Sequence, residues 1–241
     1  MPSIVALIPA RSGSKGVVHK NIRLLGGHQL LEWSIRACQL TPSIDRIIVS
    51  TDSEQYAKNA REMGADVPFL RPAQISTDRS TDYDFVRHAL DWLSKNGGEP
   101  DYIAHIRPTT PLRVPSLIDE AIDLFIQNRR ATALRSVHSM AESAYKTFEI
   151  AEAGQLKQVG ASSTNLDAAN GARQGFPKTY IANGYVDVLS TQFIRKASLI
   201  HGDYVLPFIT PSVTEVDTDD DFKLLEYEIM KNPEILNKIF G

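Results

Sequence analysis

The chain has 241 residues, 42% hydrophobic and 23% charged, with a formal net charge of −3 at pH 7. That is ordinary globular composition, enough for one large domain or two modest ones with a sizeable core. The charge balance argues against a nucleic-acid scaffold, and a single cysteine, Cys38, excludes an internal disulfide or a cysteine-built zinc site. No stretch approaches the roughly 20 apolar residues of a membrane span. Ser3 to Pro9 is too short for a signal peptide and runs straight into a polar loop, so the expectation is a cytoplasmic protein with no membrane contact.

Taken in order, Ile4-Val5-Ala6-Leu7-Ile8 is a continuous apolar run that predicts a buried, parallel-type strand. It gives way at Pro9 to Ala10-Arg11-Ser12-Gly13-Ser14-Lys15-Gly16, with Lys20-Asn21 just beyond. Glycines allow close backbone approach, turns of this kind aim N–H groups at anions, and three nearby cations would neutralise a polyphosphate. Gly13 and Gly16 fit neither the P-loop nor the dinucleotide fingerprint. A surface turn with solvated cations is the plain alternative for any one residue; the set together favours phosphate.

Leu31, Ile35 and Cys38 recur at helical spacing up to Pro42, and Arg46–Ser50 reads as a second buried strand. Thr51-Asp52-Ser53 offers caps for a helix running to Met63, stopped by Gly64. After a polar loop over 76–82, Phe85, Val86, Ala89, Leu90 and Leu93 mark another helix. Tyr102–Ile106 predicts a third strand, a helix follows from Ser116, and Ala131–Val137 predicts a fourth strand. Alternating β and α predicts a mostly parallel sheet with helices on both faces, its ligands beyond the carboxyl ends of the strands. The loops after Ile8, Ile106 and Val137 should meet there.

The rhythm breaks at Met140. Tyr145–Ile150 and Gln155–Val159 read as a hairpin and 160–175 as a long polar loop, so 140–182 is expected to form a small lobe inserted in one domain spanning 1–241. Strands are expected at Val186–Leu189, Tyr204–Ile209 and Thr214–Asp217, then a helix over Asp219–Lys231 and a short amphipathic helix in the tail. In a strand, Glu215 and Asp217 would share a face and present two carboxylates suited to Mg²⁺ carried by substrate phosphates. Asp219 to Asp221 read as charge favourable to a helix N-terminus. The six histidines show no zinc-like spacing, and no G-x-S-x-G elbow is present.

Ile8 to Gly16 with Lys20-Asn21 closely resembles the signature of the CMP-sialic acid synthetases, the acylneuraminate cytidylyltransferases. The resemblance implies a Rossmann-like, GT-A-like nucleotidyltransferase sheet with a β-rich dimerisation lobe that reaches the partner's site in a homodimer. It implies CTP binding by Ala10, Arg11, Ser14, Lys15, Gly16, Lys20 and Asn21, with Ser80, Thr81 and Asp82 at the cytosine edge; helix capping is an equal alternative for Asp82. Arg11, Lys15 and Asp217 would be catalytic, with Mg²⁺ on Asp217 helped by Glu215, where the family carries an aspartate. Arg107 to Arg113 resembles the family's Q-P-T-S-P-L-R, placing Arg107, Thr109 and Thr110 near the sugar, and an arginine there could bind a carboxylate bidentately. Lys146, Arg173, Gln174 and Asn183 match further sugar-side positions, whereas Tyr185-Val186-Asp187 and Ile181 depart from the pattern. The reaction implied is CTP plus a nine-carbon 2-keto sugar acid giving the CMP-sugar and pyrophosphate. The alternatives are the cytidylyltransferase for the eight-carbon acid Kdo and a catalytically silent nucleotide-binding protein on the same fold.

Overall fold

Successive side chains of a strand point to opposite faces, and β1 (Ile4–Pro9) is apolar on both. Ile4, Ala6 and Ile8 pack in one core cluster and Val5 and Leu7 in another, so the strand lies between two helical layers. The computed structural model describes residues 2–160 and 166–241; the middle of the long loop expected over 160–175 lies outside the described residues.

In chain order, β1 is followed by the short hairpin strands β2 (Leu24–Leu25) and β3 (His28–Gln29), α1 (Leu30–Gln39), β4 (Arg46–Ser50) and α2 (Glu54–Glu62). Then come α3 (Asp82–Leu93), β5 (Tyr102–His105), α4 (Pro115–Gln127), β6 (Ala133–Ser139) and the hairpin β7 (Phe148–Ile150) and β8 (Leu156–Gln158). The chain closes with β9 (Tyr180–Ser190), α5 (Thr191–Ala197), β10 (Val205–Ile209), α6 (Asp219–Lys231) and α7 (Glu234–Phe240). The main sheet has the order β10-β6-β9-β5-β1-β4. All its strands are parallel except β9, which runs antiparallel to both β5 and β6.

Helices α1 and α4 cover one face through Leu31, Ile35, Ile118 and Ile122, and α3 and α5 cover the other through Val86, Leu90 and Ile194. A third cluster joins Val17 and Trp33 to Phe222, Leu225 and Ile229 of α6, so the terminal helices hold down the loop that follows β1. The hairpin β7–β8 forms its own two-stranded sheet within the 140–182 segment.

Three features differ from the sequence expectation. Thr214 to Asp217 is irregular rather than a strand, so the shared-face argument for Glu215 and Asp217 does not hold. Helix α5 was not anticipated: seven residues are too few to show a period, and it is nucleated by Ser190 Oγ accepting from Phe193 N at 3.2 Å. Strand β9 is eleven residues long and bulged, its register shifting between Arg135 and Val137 of β6.

Candidate active site

Because β1, β4, β5 and β6 are parallel, their carboxyl ends open on one edge of the sheet, and a cavity of about 490 Å³ lies there. The loop after β1 forms one side. Ser12 donates from its N to Asp52 Oδ1 at 2.8 Å and from its hydroxyl to Oδ2 at 3.0 Å, while Asn21 Nδ2 donates to the Arg11 carbonyl at 3.0 Å. Asp52 was expected among the caps of α2; the cap is Ser53, which accepts from Tyr56 N, and Asp52 braces the basic loop instead. His19 takes a left-handed conformation, and its Nδ1 meets the Tyr56 hydroxyl at 3.1 Å.

Arg11, Ser14, Lys15 and Gly16 all line the cavity. Opposite them, Asp78 pairs with Arg11 Nη1 at 2.7 Å and with Lys15 Nζ. The hydrogen bonds from Lys15 and Arg11 hold the Asp78 carboxyl below its ordinary value. Arg71 forms part of the floor. It is buried, donates to Ser50 Oγ at 3.0 Å and to the Ser50 carbonyl at 2.6 Å, and its guanidinium lies 4.8 Å from the Phe85 ring centre. Burial lowers its pKa to about 10, so it remains a cation near neutrality.

Asp217 borders the cavity beside the basic loop, with its side chain 79% exposed. Lys20 Nζ donates to the Val216 carbonyl at 2.7 Å and lies 3.4 Å from Asp217 Oδ1, tying this segment to the loop. Thr218 caps α6 in a reciprocal box with Asp221, and Asp221 Oδ2 also accepts from Asp217 N. Glu215 is engaged elsewhere. Its Oε1 accepts from Gly184 N at 2.8 Å, and it is not among the residues that line the cavity.

That amide belongs to the bulge of β9, where side chains replace the missing strand partner. Asn183 Oδ1 accepts from Tyr185 N, and Ser136 Oγ accepts from Val186 N. Arg113, fully buried, donates to the carbonyls of Gly184 at 2.6 Å, Tyr185 at 2.7 Å and Arg107 at 2.5 Å. Gly184 is required here, since a Cβ would overlap Thr110 Oγ1 and crowd Arg107 Cβ. Arg107, on the loop after β5, reaches the cavity between two carboxylates, donating to Asp82 at 2.7 Å and to Asp187 at 3.1 Å. It is therefore paired with a carboxylate on each side at the cavity edge.

Residues 5–173 match the cytidylyltransferase family. The chain belongs to that family. It is 31% identical over 92% of its length to the N-acylneuraminate cytidylyltransferase of Escherichia coli, of which it spans 51%. It is 28% identical over 97% of its length to the CMP-N,N'-diacetyllegionaminic acid synthase of Legionella pneumophila, of which it spans 99%. The chain thus spans about half of some curated relatives and nearly all of others. Its fold is similar to that of a solved CMP:2-keto-3-deoxy-manno-octonic acid synthetase complexed with CTP, at a TM-score of 0.71, 11% identity, and coverage of 95% of this chain and 99% of that one.

Not every residue expected in the site of this cytidylyltransferase lines its cavity. Ser14, Lys20, Asn21, Ser80, Thr81, Asp82 and Thr109 do. Thr81, rather than Asp82, caps α3: its N and hydroxyl both donate to Asp84, while Asp82 turns to Arg107. Ala10 is buried, its N bonded to the Ser50 carbonyl, and supports the loop from below. Thr110 is buried behind the cavity against Gly184. Asn183 is buried too, donating to Thr210 Oγ1 at 2.9 Å and lying 3.0 Å from His138 Nδ1, so it holds the bulge instead of facing ligand.

Lys146, Arg173 and Gln174 sit on the 140–182 segment, away from the cavity. Lys146 lies 5.7 Å from the Phe176 ring centre, and Arg173 donates to the Met140 carbonyl at 3.1 Å. Arg71, Asp78 and Asp187 were missed. Each needed a partner distant in sequence to reveal it, although a buried-strand reading with an aspartate inside it at position 187 was an available signal.

Proposed function

We propose that the chain transfers CMP from CTP to a nine-carbon 2-keto sugar acid, releasing pyrophosphate. The observation that carries this reading is the convergence of Arg11, Lys15, Lys20 and the exposed Asp217 carboxylate on a single cavity. The anomeric hydroxyl attacks the α-phosphorus, the bond from that phosphorus to the bridging oxygen breaks, and the hydroxyl proton is released. Arg11 and Lys15, leaving Asp78, balance the charge that builds on the departing pyrophosphate. The braced loop amides and Asn21 orient the nucleotide, and Ser80 and Thr81 face the base.

Among the described residues no group of three or more metal-ligating side chains is assembled. An exposed carboxylate at the edge of a basic cavity nevertheless fits Mg²⁺, which keeps waters and takes one or two carboxylates plus substrate phosphates. Asp217 would hold the ion, which when bound supplies charge neutralisation at phosphate oxygens and a lowered hydroxyl pKa.

Lys146 and Arg173, remote from their own cavity, support a homodimer in which this segment serves the partner's site. The exposed apolar side chains Phe148, Ile150 and Leu156 on the same hairpin support a contact there. Among the described residues no helix is long and apolar enough to cross a membrane.

The test is pyrophosphate release with CTP and Mg²⁺ across a panel of 2-keto sugar acids, with Asp217→Ala alongside. Release with a nine-carbon acid that is lost in the variant supports the reading. Release with Kdo alone, or tight CTP binding with no release on any acid, overturns it.

A further inference from the structure

Three neighbouring strands converge on one carboxylate behind the cavity. Asp187 of β9 stands opposite His105 of β5 and Arg135 of β6, and its side chain is wholly buried. Its Oδ2 accepts from Arg107 Nη1 at 3.1 Å, and lies 3.8 Å from His105 Nδ1 and 3.6 Å from His201 Nε2. Its Oδ1 is 4.0 Å from Arg135 Nε. Among the described residues, both ring nitrogens of His105, Nε2 of His201, Nε of Arg135 and Oδ1 of Asp187 have no hydrogen-bond partner. Arg107 is therefore the cation that Asp187 holds by direct hydrogen bonding, and Arg107 is also the member of the pair that lines the cavity.

A carboxylate buried at such desolvation cost is destabilising unless its pairing is close, so the position is poorly explained as packing alone. Arg107 is restrained on both sides: Asp187 binds one Nη from behind and Asp82 binds the other at the cavity edge. The two carboxylates flank the guanidinium and offset its charge. An incoming anion would meet Asp82 at the same edge, whereas a hydroxyl can accept from a remaining Arg107 N–H and donate to Asp82.

We propose that Asp187 is a specificity-determining positioning residue, which offsets Arg107 from behind so that the Arg107–Asp82 edge takes a neutral hydroxyl of the sugar and rejects its carboxylate. This rests on the function proposed above. It assigns the sugar's carboxylate to another part of the site and gives the buried pair a part in substrate choice.

The experiment is a double-mutant cycle with Asp187→Asn, Arg107→Gln and the two combined, read by steady-state kinetics and thermal melting. Each single variant should raise KM for the sugar acid tenfold or more while KM for CTP stays within twofold. The combined variant, which removes both charges of the Arg107–Asp187 pair, should regain part of the melting temperature lost in Asp187→Asn. It should keep the raised KM and lose the preference for the full sugar acid over an analogue lacking one ring or side-chain hydroxyl. Parallel rises in both KM values, or unchanged hydroxyl discrimination in the combined variant, would show a structural part only and overturn the proposal. Unmodified protein that releases pyrophosphate with no nine-carbon acid overturns the parent function instead, a result separable from active protein with indifferent variants.

Discussion

A Cβ on Gly16 would overlap the carbonyl oxygen of Asp217, so the basic loop and the acidic segment touch backbone to backbone. The contact joins residues from opposite ends of the chain, and it sets the distance across which phosphate would be held. Glycine is required there by space rather than by backbone dihedral, since Gly16 is not among the positive-φ residues.

Gly16→Ala should displace Asp217 while leaving the core untouched. We expect kcat/KM to fall roughly 10- to 100-fold, the loss associated with misplacing a reacting group by about 1 Å. The melting temperature should change little. Kinetics and a melting curve on the same sample check this, and a variant with unaltered kcat/KM would show that the contact is elastic.

Asp78 occupies Arg11 and Lys15 in the structure, where a triphosphate would compete with it. Asp78→Asn should lower Kd for CTP. Exposed ion pairs are weak, so the gain is at most about fivefold. Calorimetric titration of CTP into both proteins measures it, and weaker binding in the variant would instead give Asp78 a part in holding the nucleotide.

Glu215 accepts from the Gly184 amide, which lies in the bulge of β9. Glu215→Gln keeps an acceptor oxygen and should retain activity within a few-fold. Glu215→Ala leaves the amide unsatisfied and should cost about 1–3 kcal/mol of stability. Denaturant melts of both variants, with activity measured over a Mg²⁺ titration, separate this from metal binding. A shifted Mg²⁺ requirement in Glu215→Gln would restore the carboxylate to the metal site.

Burial, reinforced by Arg107, pushes the His105 ring from 6.5 down to about 3. Below pH 6.5 the unfolded chain takes up a proton that the folded ring refuses, so stability falls as pH drops from about 6.5 toward 3. The slope from this group approaches about 1.4 kcal/mol per pH unit. His88, also lowered by burial, adds slope of the same sign. Asp82 and Asp187 are held below their ordinary values, and what they contribute is lost at lower pH still, as pH falls below the unfolded carboxylate range. Melts between pH 4.5 and 6.5 should show a clear slope in the native protein that flattens in His105→Gln; an unchanged slope would place the titration elsewhere.

Local pattern carried a good deal. The two-faced apolar run Ile4–Ile8, the helical spacing of Phe85 to Leu93, and the glycine and cation composition of the loop after β1 each reflect a constraint between near neighbours. From these the α/β class, the edge bearing the site and the basic loop could be read. The antiparallel course of β9 could not, because strand direction is set by which neighbours the sheet accepts. Nor could the division of labour among acidic residues. Glu215 and Asp217 look alike in sequence, yet Glu215 closes a bulge while Asp217 faces the cavity. Asp52 reads as a cap and braces Ser12, and Asp187 pairs with Arg107 from 80 residues away. A carboxylate's part depends on which donors reach it and how far water is excluded, and both are decided when distant segments pack.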